Sequence, residues 1–155
     1  MFLNAYHFDN VNNKPKTTAE AVVMAKMDWE IRKQQLRGVD NGVIDNKNVQ
    51  IYRHEKDPKH PLHNHVLGIM GKSYVEVPNS KLFAPFDSFL ASGRVELTSM
   101  GELRHGEILY CQAQIVDQKE MSIGNDGQDK VNPYISCSNG HDGKHSFTIN
   151  QNQIR

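Results

Sequence analysis

The stretch ISCSNGHDGKHSFTI, Ile135–Ile149, sets His141 and His145 four residues apart, with Asp142 beside the first and Lys144 beside the second. Imidazole and carboxylate groups at such spacing can hold a divalent cation or move a proton. On a helix, both rings would share one face. Asn139-Gly140 and Asp142-Gly143 argue against a helix, because Asn and Asp bond nearby backbone and glycine supplies positive φ. Turn chemistry explains every small residue, so the segment is read as the turn of a β-hairpin. A second histidine group, His60, His63 and His65, lies in KDPKHPLHNH. Extended backbone would put His63 and His65 on one face. Two prolines and the lack of a fixed acidic or cysteine partner make these solvated loop histidines instead.

Other routes to chemistry are thinner. The chain has no G-x-S-x-G, and its two cysteines, Cys111 and Cys137, sit in apolar alternating runs as small core residues, with no CxxC. GIMGKS (68–73) resembles part of a phosphate loop, but the Walker spacing needs glycine where Val66 stands, and strand formers follow. The carboxylates Asp126 and Asp129 fall in a polar connection and read as solvated. No catalytic residue, metal or cofactor is assigned, and the chain is read as a non-enzyme.

Phosphate contacts have somewhat more support, although charges scattered on a neutral protein read first as an ordinary solvated surface. Arg53, Lys72, Arg94, Arg104 and Lys144 lie in or beside expected strands and turns, and Tyr52, Tyr74 or Tyr110 could stack on bases. Such a groove would have to be local, since 18 Lys+Arg balance 18 Asp+Glu and the pI is near 7.1.

These residues need a scaffold. At 155 residues, one domain with a sizeable core is expected. Residues 1–16 are an Asn-rich, aromatic arm without clear period, set against a domain at 17–155. Thr17 with Glu20 has capping-box spacing and opens a short helix; alternation from Trp29 suggests a weak strand, and VDNG (39–42) a hairpin turn. VQIYRHE (49–55) and VLGIMGKSYVEV (66–77) read as strands. Asn79 is expected to cap a Phe-rich helix that Pro85 kinks and Gly93 ends. GRVELTSM and GELRHGEILYCQAQI form a further strand pair. The expected fold is α+β: an antiparallel sheet of β-hairpins with two helices packed on one face. No apolar run is long enough for a membrane helix, so no membrane partner is expected. The chain stops at TINQNQIR without a stop signal, which suggests a longer protein.

Three blocks, TTAEAVVMAKMDWEI, VLGIMGKSYVEVPNSKLFAPFDSFLASGRVELTSMGELRHGEILYCQAQI and NPYISCSNGHDGKHSF, occur in this order. They carry Asp28-Trp29-Glu30; Leu67, Gly68, Gly71, Tyr74, Val77 and Asn79; Phe83 and Phe86; and Ser138, Asn139, His141, Asp142 and Gly143. In this the chain, over roughly 17–155, resembles an uncharacterised phage/plasmid-like family whose domain has no known function. The N-terminal arm lacks that family's T-P-W-H-G-L-G-like opening. A fainter likeness, of glycine-bearing strand, Asn-capped Phe helix and hairpin, is to phage single-strand annealing proteins of the Rad52-like superfamily.

That second resemblance implies a phage- or plasmid-encoded protein that binds single-stranded DNA in a bacterial cytoplasm, with self-association into an oligomer. Phosphates would fall to Arg53, Lys72, Arg94, Arg104 and Lys144, and Asn139, His141, Asp142 and Gly143 would form a contact loop. Two alternatives belong to other classes. One is a non-enzymatic factor that binds a host protein; the other is a metal-dependent enzyme using His141, Asp142 and the 60–65 histidines.

Overall fold

Helix α1 (Thr18–Met24) starts where the capping spacing predicts. Thr17 is extended and its hydroxyl accepts the Glu20 N–H at 3.2 Å, while the Glu20 carboxylate accepts the Lys16 N–H at 2.7 Å. The structure, a computed structural model, describes residues 3–9, 14–116, 121–123 and 129–154. Asp126, Gly124 and Gly127 lie outside the described residues.

Strands β2 (Glu30–Arg37) and β3 (Val43–His54) form a hairpin whose turn is closed by Gly38 N–H to Gly42 C=O at 2.8 Å, with Asn41 at φ 62°. Strand β4 (Val66–Gly71) adds to β3 and completes a three-stranded sheet. The expected strand through Tyr74, Val75 and Val77 is not there. The Tyr74 N–H closes a turn on the Gly71 C=O at 2.9 Å, which carries 72–78 away from β3 as irregular chain. β-Branched residues favour a strand only where a neighbouring strand can pair with them.

The Phe-rich segment splits at Pro85 into α2 (Asn79–Leu82), a 3₁₀ turn at Ala84–Phe86 and α3 (Asp87–Ala91), and Gly93 follows at φ 69°. Asn79 is not the cap. Pro78 occupies that position, and Asn79 is the first helical residue with its side chain buried.

The larger sheet runs β1 (Leu3–His7), β5 (Val95–Leu103), β6 (Ile108–Ile115), β8 (Asp129–Gly140) and β7 (Met121–Ile123), with β9 (Thr148–Ile154) also paired to β8. All its pairings are antiparallel. Part of the N-terminal arm is therefore an edge strand, β1, in register from Leu3 opposite Leu103 to His7 opposite Ser99.

A bulge at Thr98 governs what β5 buries. Leu97 pairs with Ala113 and Ser99 with Gln112, so one extra residue shifts the alternation. Val95 and Leu97 face the core before the bulge, and Met100 and Glu102 after it. Without that slip, Glu102 would point away from the core.

The core lies between the inner face of the large sheet, the helices and the small sheet. Phe83 and Phe86 belong to one buried cluster with Leu97, Met100, Leu109 and Cys111 of the large sheet and Ile51 and Leu67 of the small one. The Asp87 carboxylate accepts the Thr18 N–H at 2.7 Å and ties α1 to α3. The class is α+β, with the hairpins resolved into two antiparallel sheets.

Candidate functional site

Two polar assemblies form where the small sheet meets one end of the large sheet. They share the 139–146 loop between β8 and β9.

The first is buried. The Arg53 guanidinium, 4 % exposed, donates to both carboxylate oxygens of Glu102 at 2.8 Å and to the His105 C=O at 3.1 Å, and pairs with Glu55. It lies over the Trp29 ring at 4.5 Å, and the Trp29 indole N–H donates to Glu102 at 3.2 Å. Gly106, at φ 103°, closes the site from below: a Cβ there would stand 2.7 Å from the Trp29 ring. His141 meets Trp29 edge-on at 5.8 Å. Its Nε2–H donates to Asn79 Oδ1 at 2.9 Å, and the Asn79 amide donates to the Met27 C=O at 2.7 Å. Burial pushes the His141 pKa down to about 4, against a smaller opposing pull from Asp142, so the ring is neutral near pH 7. The His141 backbone N–H reaches the Glu107 C=O at 2.7 Å, binding the loop to the β5–β6 turn.

This arrangement corrects two readings. Arg53 offers nothing to a phosphate, since its charge is held by two carboxylates inside the protein. His141 faces the core and is not presented to a ligand. A charge taken out of water needs this pairing, because an unpaired buried guanidinium or carboxylate costs several kcal/mol.

The second assembly is open. Asp142 is itself buried, and its carboxylate accepts the backbone N–H groups of Lys144 and His145 at 2.9 and 3.0 Å and the His145 ring Nδ1–H at 2.9 Å. Burial alone would raise the Asp142 pKa, but these donors together hold it below the usual carboxylate range. With Nδ1 engaged, His145 keeps Nε2 for whatever enters. A cleft of about 350 Å³ opens here, with Tyr74, Val75, Val77 and Leu82 on one side and Asn139, Gly140, Gly143, Lys144, His145 and Ser146 on the other. The loop is seated on β4, where Gly68 has no side chain: a Cβ there would come within 3.0 Å of the Asp142 backbone. The 72–78 segment is tied to β2, where Lys33 Nζ donates to the Tyr74 C=O at 2.8 Å and pairs with Glu76 at 3.1 Å. Half-burial raises the Tyr74 pKa, so its hydroxyl stays protonated.

The remaining expected contacts scatter. Lys72 is exposed two residues before Tyr74, in the turn that forms the cleft wall. Arg104 is exposed in the β5–β6 turn, 3.8 Å from Glu107, at the same end as the 139–146 loop. Arg94 precedes the other end of the nine-residue strand β5, roughly 30 Å away at 3.3 Å per residue. Tyr52 faces outward on the small sheet opposite Arg32, and Tyr110 lies half-buried beside Gly101 on the outer face of the large sheet. The cleft thus gathers Tyr74, Asn139, Gly143 and Lys144, with Lys72 nearby in sequence, but not Arg94, Tyr52 or Tyr110.

The histidines of 60–65 disperse into separate contacts. His60 lies 3.4 Å from Glu55, His63 meets the Glu55 C=O at 3.0 Å and stacks on His54 at 4.7 Å, and His65 meets His105 at 5.2 Å. Among the described residues no three His, Cys, Asp or Glu side chains come together as metal ligands would. No helix among them is long and apolar enough to cross a membrane.

Sequence reasoning missed Glu102, whose inward orientation depends on the bulge, and the Asp142–His145 side-chain pair, although it read Asp142 as a turn residue bonding nearby backbone. The D-x-x-H spacing after Asn-Gly was the available signal for that pair, since a turn aspartate commonly bonds two or three residues ahead.

No curated protein and no solved structure matches the chain. Residues 66–155, which contain β4, the Phe-rich helices, β5, β6, β8 and both halves of the 139–146 loop, match a family defined only as a domain of unknown function, DUF932. The resemblance read from the Leu67–Gly143 motifs is thereby shown, and the chain belongs to the DUF932 family.

Proposed function

We propose that this protein binds single-stranded DNA without covalent chemistry, as an accessory to strand annealing or recombination encoded by a phage or plasmid and acting in the bacterial cytoplasm. The observation that carries the reading is the cleft between Tyr74 and the 139–146 loop. It combines an aromatic ring, an apolar wall, an amide and Lys144, with the exposed Lys72 two residues before Tyr74, on a protein with no net charge to supply a general field. Its volume, about 350 Å³, suits one base with its sugar rather than a duplex. Tyr74 would stack on the base while Lys72 and Lys144 meet the flanking phosphates. Arg104 extends the same end of the molecule. Neighbouring copies would continue the strand.

Fluorescence anisotropy with labelled oligo-dT and the matching duplex, at low and physiological salt and with and without chelator, tests this. Preference for the single strand, indifferent to chelator, with a log–log salt slope of roughly −1.5 for two phosphates, is expected. Affinity that stays flat with salt, or no binding, overturns it.

A protein partner is the second reading, favoured by one observation: Ile69 and Val75 are 60 % and 74 % exposed on β4 and the segment that follows it. It predicts no DNA affinity and a complex that survives high salt.

A further inference from the structure

Cys111 on β6 and Cys137 on β8 are direct cross-strand partners in the large sheet. Both are buried, at 0 % and 1 % exposed, and their Sγ atoms are 2.7 Å apart. The sequence, with no CxxC and a separation of 26 positions, presents them as two unrelated core residues; the register alone brings them face to face.

Directly opposed residues of an antiparallel pair have Cα atoms about 4.5–5.5 Å apart, inside the range that a disulfide spans. The closed sheet can hold the bonded product without a change of register. We propose that Cys111 and Cys137 are an oxidation site that closes into an internal disulfide, clamping the two central strands of the large sheet.

The chemistry balances with a small-molecule disulfide such as oxidised glutathione. One thiol gives up its proton and attacks that disulfide, expelling one glutathione thiolate and forming a mixed disulfide. The second thiol, also deprotonated, attacks the protein sulfur and expels the other glutathione. Two protein thiols are oxidised, one glutathione disulfide is reduced to two thiols, and the two protons end on the products.

Burial decides which product persists. With the sheet closed there is no room beside either sulfur for a glutathionyl group, whereas the partner sulfur is already in place. The adjoining thiol and desolvation both push the Cys111 pKa up, which keeps the closed pair unreactive. Oxidation must then wait for β6 and β8 to part, and the reaction should be slow and limited by that opening. Once made, the bond is equally hidden from reductant. Reduced and oxidised protein would exchange slowly, and a sample would retain the state in which it folded.

The test is intact mass of the whole folded protein after incubation with oxidised glutathione, read in denaturant without reductant. The expected product is a monomer lighter by two hydrogens, with no free thiol, restored by dithiothreitol under denaturing conditions. Its rate should rise severalfold in urea too dilute to unfold the protein. Cys111→Ala is the control, and it must lose the two-hydrogen shift. Two free thiols that persist even in sub-denaturing urea would overturn the proposal. So would glutathione adducts on both residues, or cross-linked dimers in place of the internal bond.

Discussion

The 139–146 loop has two sides with opposite fates. On one, His141 enters the joint between the sheets and joins Trp29, Arg53, Glu102 and Asn79, where each side chain is held by at least one hydrogen bond. On the other, Asp142 turns the chain and presents Lys144 and His145 to a cleft about 350 Å³ in volume. Residues three or four apart in one polar island therefore do different work. In the joint, removing a group leaves another stranded without water; at the cleft, water replaces what is lost. Damage should be large and global in the first region, and small and local in the second.

The sharpest way to break that contrast is Glu102→Ala. It leaves the buried Arg53 guanidinium with only Glu55 as a carboxylate partner, and should destabilise the fold by about 3–5 kcal/mol in urea unfolding. The double replacement Arg53→Met with Glu102→Leu should recover most of that loss, since neither charge then remains buried. If Glu102→Ala costs under about 1 kcal/mol, the joint is not the structural centre described here.

Acid is the next largest perturbation. His141 has a folded pKa of about 4 against an ordinary value of 6.5, so below 6.5 the unfolded chain takes up a proton that the folded protein refuses. Its contribution is complete above pH 6.5 and is lost as pH falls toward 4, by roughly 3 kcal/mol in all. Asp142 acts in a lower window, because its depressed pKa matters only below the ordinary carboxylate value of 3.8. Unfolding free energy measured from pH 7 to 4 should fall with a slope near one proton that His141→Asn removes. An unchanged slope in that variant would assign the acid sensitivity to other groups.

Gly68→Ala tests the boundary between the two regions. Its Cβ would press on the Asp142 backbone at 3.0 Å, costing about 1–3 kcal/mol and shifting the loop without deleting a cleft residue. DNA affinity should fall with it, even at temperatures where the variant stays folded. The smallest effect on stability belongs to Lys144→Ala, within about 0.5 kcal/mol, because the side chain is exposed. That variant should nevertheless lower the salt slope of single-strand binding by about 0.7, the share of one phosphate. Equal binding by wild type and Lys144→Ala would remove the lysine from the interface.

Much of the scaffold was legible. The Thr17–Glu20 pair, the Asn41-Gly42 turn, the break at Pro85 and the stop at Gly93 are local devices, and each acts through neighbours a few residues away. The cleft was half legible: the Asn-Gly and Asp-Gly turn could be read, and with it the exposure of Lys144. The joint was not. Arg53 reads as a surface cation in a strand, and only the sheet that covers it, with Glu102 brought opposite, makes it a core residue. Tyr74 to Val77 have strand formers' side chains but no strand beside them.

By itself, then, the sequence determined the local grammar of this protein: where helices start and stop, where hairpins turn, and that the class is α+β with antiparallel sheets. These follow from backbone preferences that need no distant partner. Which charges are buried, which histidine faces inward and whether the two cysteines meet was decided by tertiary structure alone. The physical reason is register. One extra residue at Thr98 reverses the faces of β5 and sends Glu102 inward, and the pairing of β6 with β8 sets Cys111 against Cys137. Both depend on contacts between segments far apart in the chain.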